Sequence, residues 1–195
     1  MNAIRFTGKD GILHLGGVLL AICLIVAAAL GYVNAVTADR IADAGEQKLQ
    51  ESLREIVPDA DRFDEIFVRH GEEDAVSRAF EIIKDGVYAG LCVLVAPTGF
   101  AGPIDMIVGV GSDGAVLGVR VVSMSETAGL GAKVNIPDWL SQFEGLSAPF
   151  NLVKTAAAEG DIAAVSGATL SSRAIVQGVT AAVNFAKTYT PEVIG

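Results

Sequence analysis

Apolar and polar positions follow four successive patterns along this chain. Ile12 to Val36 is a nearly unbroken apolar run, and no formally charged side chain lies between Asp10 and Asp39. About 25 residues at roughly 1.5 Å each exceed a hydrocarbon core of about 30 Å, so the run predicts a single tilted membrane span. The alternative is a cleavable signal peptide, with Val33-Asn34-Ala35 as its cleavage site, but signal cores are shorter, about 7 to 15 residues. From Thr37 to Val57 the pattern turns amphipathic. Ile41, Leu49, Leu53 and Ile56 share one stripe, Glu46, Lys48, Glu51 and Glu55 lie elsewhere, and Pro58 ends the helix.

Past residue 75 the pattern changes to strands. Phe80 to Lys84, Val87 to Ala96, Pro103 to Val110 and Ala115 to Val122 are runs rich in Val, Ile and Leu. Asp85-Gly86, Pro97-Thr98-Gly99 and Asp113-Gly114 break them, and the two Asp-Gly pairs suit tight hairpin turns because Gly tolerates positive φ. An antiparallel meander follows, with a shorter strand over Asn151 to Lys154. Leu170, Ala174, Ile175, Gly178, Val179, Ala182, Val183 and Ala186 then recur at helical spacing, with small residues that let a helix approach the sheet closely. The expected fold is α+β. Residues 1–10 form a cytoplasmic N-terminus, 11–36 a single transmembrane helix, 37–74 a helical acidic spacer, and 75–195 an antiparallel-sheet domain with packed helices.

Composition narrows the function. The chain has 195 residues and a net charge of −9, and 14 of its 23 acidic residues fall between positions 39 and 85. That stretch reads as a solvated face or spacer. An acidic balance without a basic stripe argues against nucleic acid, where phosphate neutralisation dominates, and against adhesion to an anionic membrane surface. Cys23 and Cys92 are the only cysteines, so neither a disulfide framework nor a CxxC site exists, and any redox chemistry must come from a bound cofactor. His14 reads as interfacial, and His70, in Arg69-His70-Gly71-Glu72-Glu73, as exposed; no metal site is expected. Arg5 and Lys9 before the span place the N-terminus inside and the domain outside. Gly16, Gly17 and Ala27 to Ala29 would permit close helix packing in the membrane, and the span has no acidic residue to serve an ion path.

Two segments do not read as core. Ser123 to Lys133 is a glycine-containing loop leaving the meander, and Ser166-Gly167-Ala168-Thr169-Leu170-Ser171-Ser172 opens the last helix. Hydroxyls around a Gly-Ala pair at a helix N-terminus suit an anion, since free amides and the positive end of the dipole both favour one. Ordinary helix capping, where Ser or Thr satisfies free amides, is the simpler account of the same residues. No Walker lysine, GxGxxG or GxSxG is present, which excludes the usual nucleotide loops and a nucleophile elbow. Glu126 has the chemistry of an acid or base, and Trp139 reads as a packed anchor in preference to a stacking platform.

Ser166-Gly167-Ala168-Thr169 resembles the S(T)GAT flavinylation motif of the FMN-binding domain family. Gly99 to Ile104, Gly114 to Val122 and Ser125-Glu126-Thr127-Ala128-Gly129-Leu130-Gly131 resemble the same family in the same order, over about residues 95 to 187. The resemblance implies FMN bound covalently through a phosphoester to Thr169, with Ser166, Gly167, Ala168, Leu170 and Ser171 around the attachment point. It further implies that Glu126, Thr127, Leu130 and Gly131 border the isoalloxazine, with core the alternative for Leu130, and that Ser171, Ser172 and Lys133 are candidates to meet the phosphate, with a cap or a surface charge the alternative. Two positions depart from the family pattern: Ala128 stands where proline is usual, and Ala163 where the flavin transferase motif has aspartate, with Asp161 two residues earlier.

An apolar span before such a domain is similar to the G subunit of the Rnf or Rsx electron transport complexes. The implied function is that of an electron-carrying redox subunit of an ion-translocating ferredoxin:NAD oxidoreductase, not a complete enzyme alone and with no catalytic side chain of its own. Implied partners are the other membrane and iron-sulfur subunits, a flavin transferase and membrane lipid. The implied location is the inner (cytoplasmic) membrane, single-pass. The C subunit of the sodium-pumping NADH:quinone oxidoreductase is the alternative, and a flavin-free, membrane-anchored assembly module is another.

Overall fold

The computed structural model describes residues 9–66, 76–129, 131–155, 158 and 160–191. His70 and Leu130 lie outside the described residues. The chain divides into two compact units, Met1–Gln47 and Lys48–Gly195, and helix α1, Lys9–Ile56, contributes to both. In the first unit, His14–Ala38 is long and apolar enough to cross a membrane, and none of it is buried within the protein. Leu15, Leu19, Leu24, Ile25 and Leu30 are all exposed there, as lipid-facing side chains are.

The second unit is built on five antiparallel strands in sequential order: β1 (Arg62–Ile66), β2 (Val76–Lys84), β3 (Val87–Val95), β4 (Ile104–Gly111) and β5 (Val116–Met124). Alternation along these strands gives the sheet two apolar faces, and each buries its own core. Leu91, Val93, Met106, Val108 and Val119 pack under the last helix, α3 (Thr169–Thr188). Phe80, Ile82, Cys92 and Ile107 pack under Leu49 and Leu53 of α1. The end of α1, read from sequence as part of a solvated spacer, thus packs on one face of the sheet, while Ile41 of the same stripe is exposed. Lys48 Nζ donates to the Val122 carbonyl and Arg120 pairs with Glu55 at 3.1 Å, fixing this turn of helix to β5.

Glycines set both close approaches. Gly109 and Gly118 are cross-strand partners, and a Cβ on Gly109 would lie 2.5 Å from Ile56 Cγ2. On the other face a Cβ on Gly178 would overlap Met106 Cε and lie 2.8 Å from Pro97 Cγ, so α3 approaches the sheet as closely as its small residues allow.

The β2–β3 turn has Asp85 at φ 52° and Gly86 at φ 72°, the tight hairpin that Asp-Gly predicts. At Asp113-Gly114 the turn is looser. Gly114 has φ 82°, but Gly111 N–H bonds Ala115 O and Ala115 N–H bonds Asp113 Oδ1, giving a wider loop than a two-residue hairpin. Strand β1 departs from the sequence reading as well. Its RFDEI carries charges on an edge strand, where Glu65 accepts two bonds from Arg78 at 2.7 and 2.9 Å. That guanidinium holds the Glu65 carboxyl below its ordinary value. After β5 come a 3₁₀ turn (Gly131–Asn135), the short helix α2 (Pro137–Leu140) and a second 3₁₀ turn (Ser141–Phe143). Next, β6 (Asn151–Val153) pairs with β7 (Asp161–Ala163), and this pair is parallel.

Candidate functional site

Three segments meet at the N-terminus of α3. The first is the loop after β3, closed by the Thr98–Pro103 bridge and by Gly99 N–H to Gly102 O at 2.8 Å. The second is the loop leaving β5 through Ser125 to Gly131. The third is Gly167 to Ser171, with Gly167 at φ 80° turning the chain into the helix. Between them lies a cavity of about 370 Å³ lined by Phe100, Glu126, Thr127, Gly131, Gly167, Ala168, Thr169, Leu170 and Ser171. Its volume falls in the range of about 300 to 1,000 Å³ in which small-molecule sites are found.

Of the ten candidate residues from the sequence, eight line this cavity. Ser166 is exposed and does not line it, and Leu130 lies outside the described residues. Leu170 leaves the buried stripe of α3 and is 54% exposed at the cavity wall. Phe100, which sequence reasoning did not single out, stands opposite the helix segment and is 69% exposed. An aromatic between Gly99 and Gly102 in a loop, with no apolar alternation around it, is the signal that marks it as something other than core.

The hydroxyls of the opening turn have separate fates. Ala168 occupies the N-cap position and no side-chain cap hydrogen bond forms among the described residues, so the first turn, whose residues line the cavity, carries amides without a capping acceptor. Ser172 Oγ, fully buried, donates to Ala168 O at 2.9 Å and accepts from Val165 N–H at 3.1 Å. Ser171 Oγ donates to Glu126 Oε2 at 3.1 Å. Both serines offered by the sequence as phosphate donors are therefore committed within the protein. Lys133 is exposed and does not line the cavity. Thr169 is exposed, lines the cavity and directs its hydroxyl to no partner among the described residues.

Glu126 Oε1 accepts from Phe100 N–H at 2.6 Å and Ala101 N–H at 3.2 Å. Trp139 is the anchor expected of it. Its Nε1–H bonds Ala163 O at 2.6 Å, and its ring meets Phe143 edge-on at 5.8 Å.

These residues fit FMN. Phe100 and Leu170 present apolar surface to a ring system, the uncapped amides of α3 suit a phosphate, and a threonine hydroxyl stands at the junction with only Gly167 and Ala168 before it.

Comparison with known proteins agrees with the geometry. The FMN-binding domain family matches residues 99–184, and the RnfG N-terminal region matches residues 1–56. The G subunit of the ion-translocating oxidoreductase complex of Aliivibrio fischeri (strain MJ11) is 34% identical over 191 residues, covering 90% of this chain and 91% of that one. The G subunit of the Na⁺-translocating ferredoxin:NAD⁺ oxidoreductase complex of Acetobacterium woodii is 32% identical, covering 86% and 88%. Among solved structures, NqrC of Shewanella oneidensis superposes with a TM-score of 0.50 at 25% identity, covering 68% of this chain and 74% of that one. The C subunit of the Na⁺-translocating NADH-quinone reductase of Parabacteroides distasonis shares the fold at a TM-score of 0.52 and 19% identity, covering 68% and 80%. With an apolar N-terminal helix ahead of an FMN-binding domain, and relatives matched along most of their length, this membrane-anchored chain belongs to the G-subunit family of the ion-translocating oxidoreductase complexes.

Proposed function

We propose that this chain is the electron-carrying subunit of an ion-translocating ferredoxin:NAD oxidoreductase complex, with FMN esterified through its phosphate to Thr169. The observation that carries the reading is the exposed Thr169 hydroxyl on the cavity wall, at the uncapped start of a 20-residue helix. Bound FMN supplies reversible electron transfer, which no side chain of this domain provides. The residues here hold and orient it. The uncapped first turn of α3 would hold the phosphate, with a dipole contribution of roughly 0.3 to 1 kcal/mol. Phe100 and Leu170 would offer apolar contact to the rings, and Glu126, Thr127 and Gly131 complete the lining.

In this reading the N-terminus is inside and the FMN domain on the extracytoplasmic side of the inner membrane, an orientation supported by Arg5 and Lys9 ahead of the span. A covalent bond retains the cofactor there, where dissociated FMN would be lost. Partners are the sister membrane and iron-sulfur subunits, a flavin transferase for maturation and the surrounding lipid. Relatives that carry the G-subunit name match over about nine-tenths of their length, which favours this reading over the C subunit of the NADH:quinone enzyme. Co-expression with a flavin transferase, followed by denaturing electrophoresis, tests it. A fluorescent band is expected for the wild type and none for Thr169→Ala; a dark wild type beside a labelled family member favours the flavin-free assembly module.

A further inference from the structure

Three donors from distant parts of the chain converge on the Glu126 carboxylate. Phe100 and Ala101 N–H reach Oε1 at 2.6 and 3.2 Å, and Ser171 Oγ–H reaches Oε2 at 3.1 Å. The acceptor lies about 25 residues after the first pair and 45 before the last, so one side chain joins the loop after β3, the loop after β5 and the first turn of α3. Space is reserved for it on both sides. A Cβ on Gly99 would overlap Oε1, and a Cβ on Gly131 would overlap Oε2. With two N–H bonds Oε1 has both lone pairs engaged, and Oε2 accepts the third bond.

We propose that Glu126 is a positioning residue, a latch that assembles the cavity in the flavin-free chain. It holds Phe100 opposite α3 and, through Ser171, fixes the turn that displays Thr169 two residues earlier. The latch is a property of the chain's own side chains and backbone; only the identity of the ligand rests on the flavin reading. Hydrogen bonds to a carboxylate are roughly twice as strong as neutral ones, so removing this acceptor frees the loop after β3 more than it loosens the sheet. The sheet's own ladders do not involve Glu126.

The test is amide hydrogen exchange on the full-length chain in lipid nanodiscs, produced without flavin transferase, for wild type, Glu126→Ala, Glu126→Gln and Ser171→Ala. Protection at Phe100 and Ala101 should fall by about tenfold or more in Glu126→Ala and by a smaller factor in Glu126→Gln, which keeps the side chain's volume and one oxygen. Amides of β3 and β4 should be unchanged. Unaltered protection at Phe100 and Ala101 in both Glu126 variants overturns the latch. Should Glu126→Ala lose protection throughout the sheet, Glu126→Gln decides, and exchange at residues 100 and 101 equal to wild type overturns the proposal. Transferase labelling of Thr169 is the second readout: about tenfold slower for Glu126→Ala, with the rate largely restored by Glu126→Gln. A wild type that is never labelled, while exchange behaves as stated, supports the latch and counts against the flavin reading alone.

Discussion

The indole of Trp139 donates to the carbonyl of Ala163 at 2.6 Å, and Gln142 Oε1 accepts from the Ala163 N–H at 2.9 Å. Both backbone groups at the end of β7 are thus held by the α2 region, six residues before Thr169. Trp139→Phe removes the donor and leaves a part-buried carbonyl without it, so it should destabilise the domain by about 1 to 3 kcal/mol. Thermal unfolding of the flavin-free chain measures the loss; a melting temperature equal to wild type would contradict this anchoring role.

Gly109 lies under Ile56, which makes the last turn of α1 part of the domain's packing. Gly109→Ala should cost about 1 to 3 kcal/mol by overpacking. Combining it with Ile56→Ala should recover part of that loss, because the clash is with that side chain. A double-mutant cycle by denaturant titration reads the coupling directly, and strict additivity would show that the two do not interact.

Burial pushes the Cys92 thiol up to about 12 from an ordinary 9.0, and burial together with Glu81 raises Tyr88. Both groups have folded values above their unfolded ones. Their contribution is therefore fully present below about pH 9 and is lost as pH rises from there towards 12. Denaturation midpoints of the flavin-free chain should decline between pH 9 and 11, with a shallower decline for Cys92→Ala. An unchanged slope in that variant would show that the thiol is not the group responsible.

Glu126 sets a formally negative group in the cavity wall. In the flavin-loaded chain, Glu126→Gln should raise the midpoint potential on the order of 30 mV, equivalent to about 1.4 kcal/mol for a two-electron couple. Spectroelectrochemical titration measures it, and an unchanged potential would place the carboxylate outside electrostatic reach of the cofactor.

The parts of this fold legible in the sequence are those whose side chains alternate or recur with one period. Strands β2 to β5 and the stripe of α3 were readable because each buries an uninterrupted apolar pattern. Strand β1 was not, since an edge strand stabilised by Arg78–Glu65 looks like any charged loop, and the three residues of β7 are too few for a period. The role of α1's last turns stayed hidden because Leu49 and Leu53 pack against a sheet formed by later sequence. At the site, the hydroxyl cluster and the glycine loop stood out by composition. Which hydroxyl remains available did not, because Ser171 is taken by a carboxylate 45 residues away and Ser172 by its own turn. Phe100 was passed over for the same reason: its place is set by a backbone bond to Glu126 that no local pattern encodes.

The most direct test of covalent flavin attachment is peptide mass mapping of the wild-type chain from membranes that contain a flavin transferase. Cleavage after Lys154 and Arg173 isolates residues 155–173, a peptide whose one proposed flavin-accepting residue is Thr169. The expected result is this peptide with the mass of FMN less one water added, fragment ions placing the increment on Thr169, and no increment in Thr169→Ala. An unmodified peptide from a preparation in which a known flavoprotein is labelled, or an increment on Ser166 or Ser171, would contradict it.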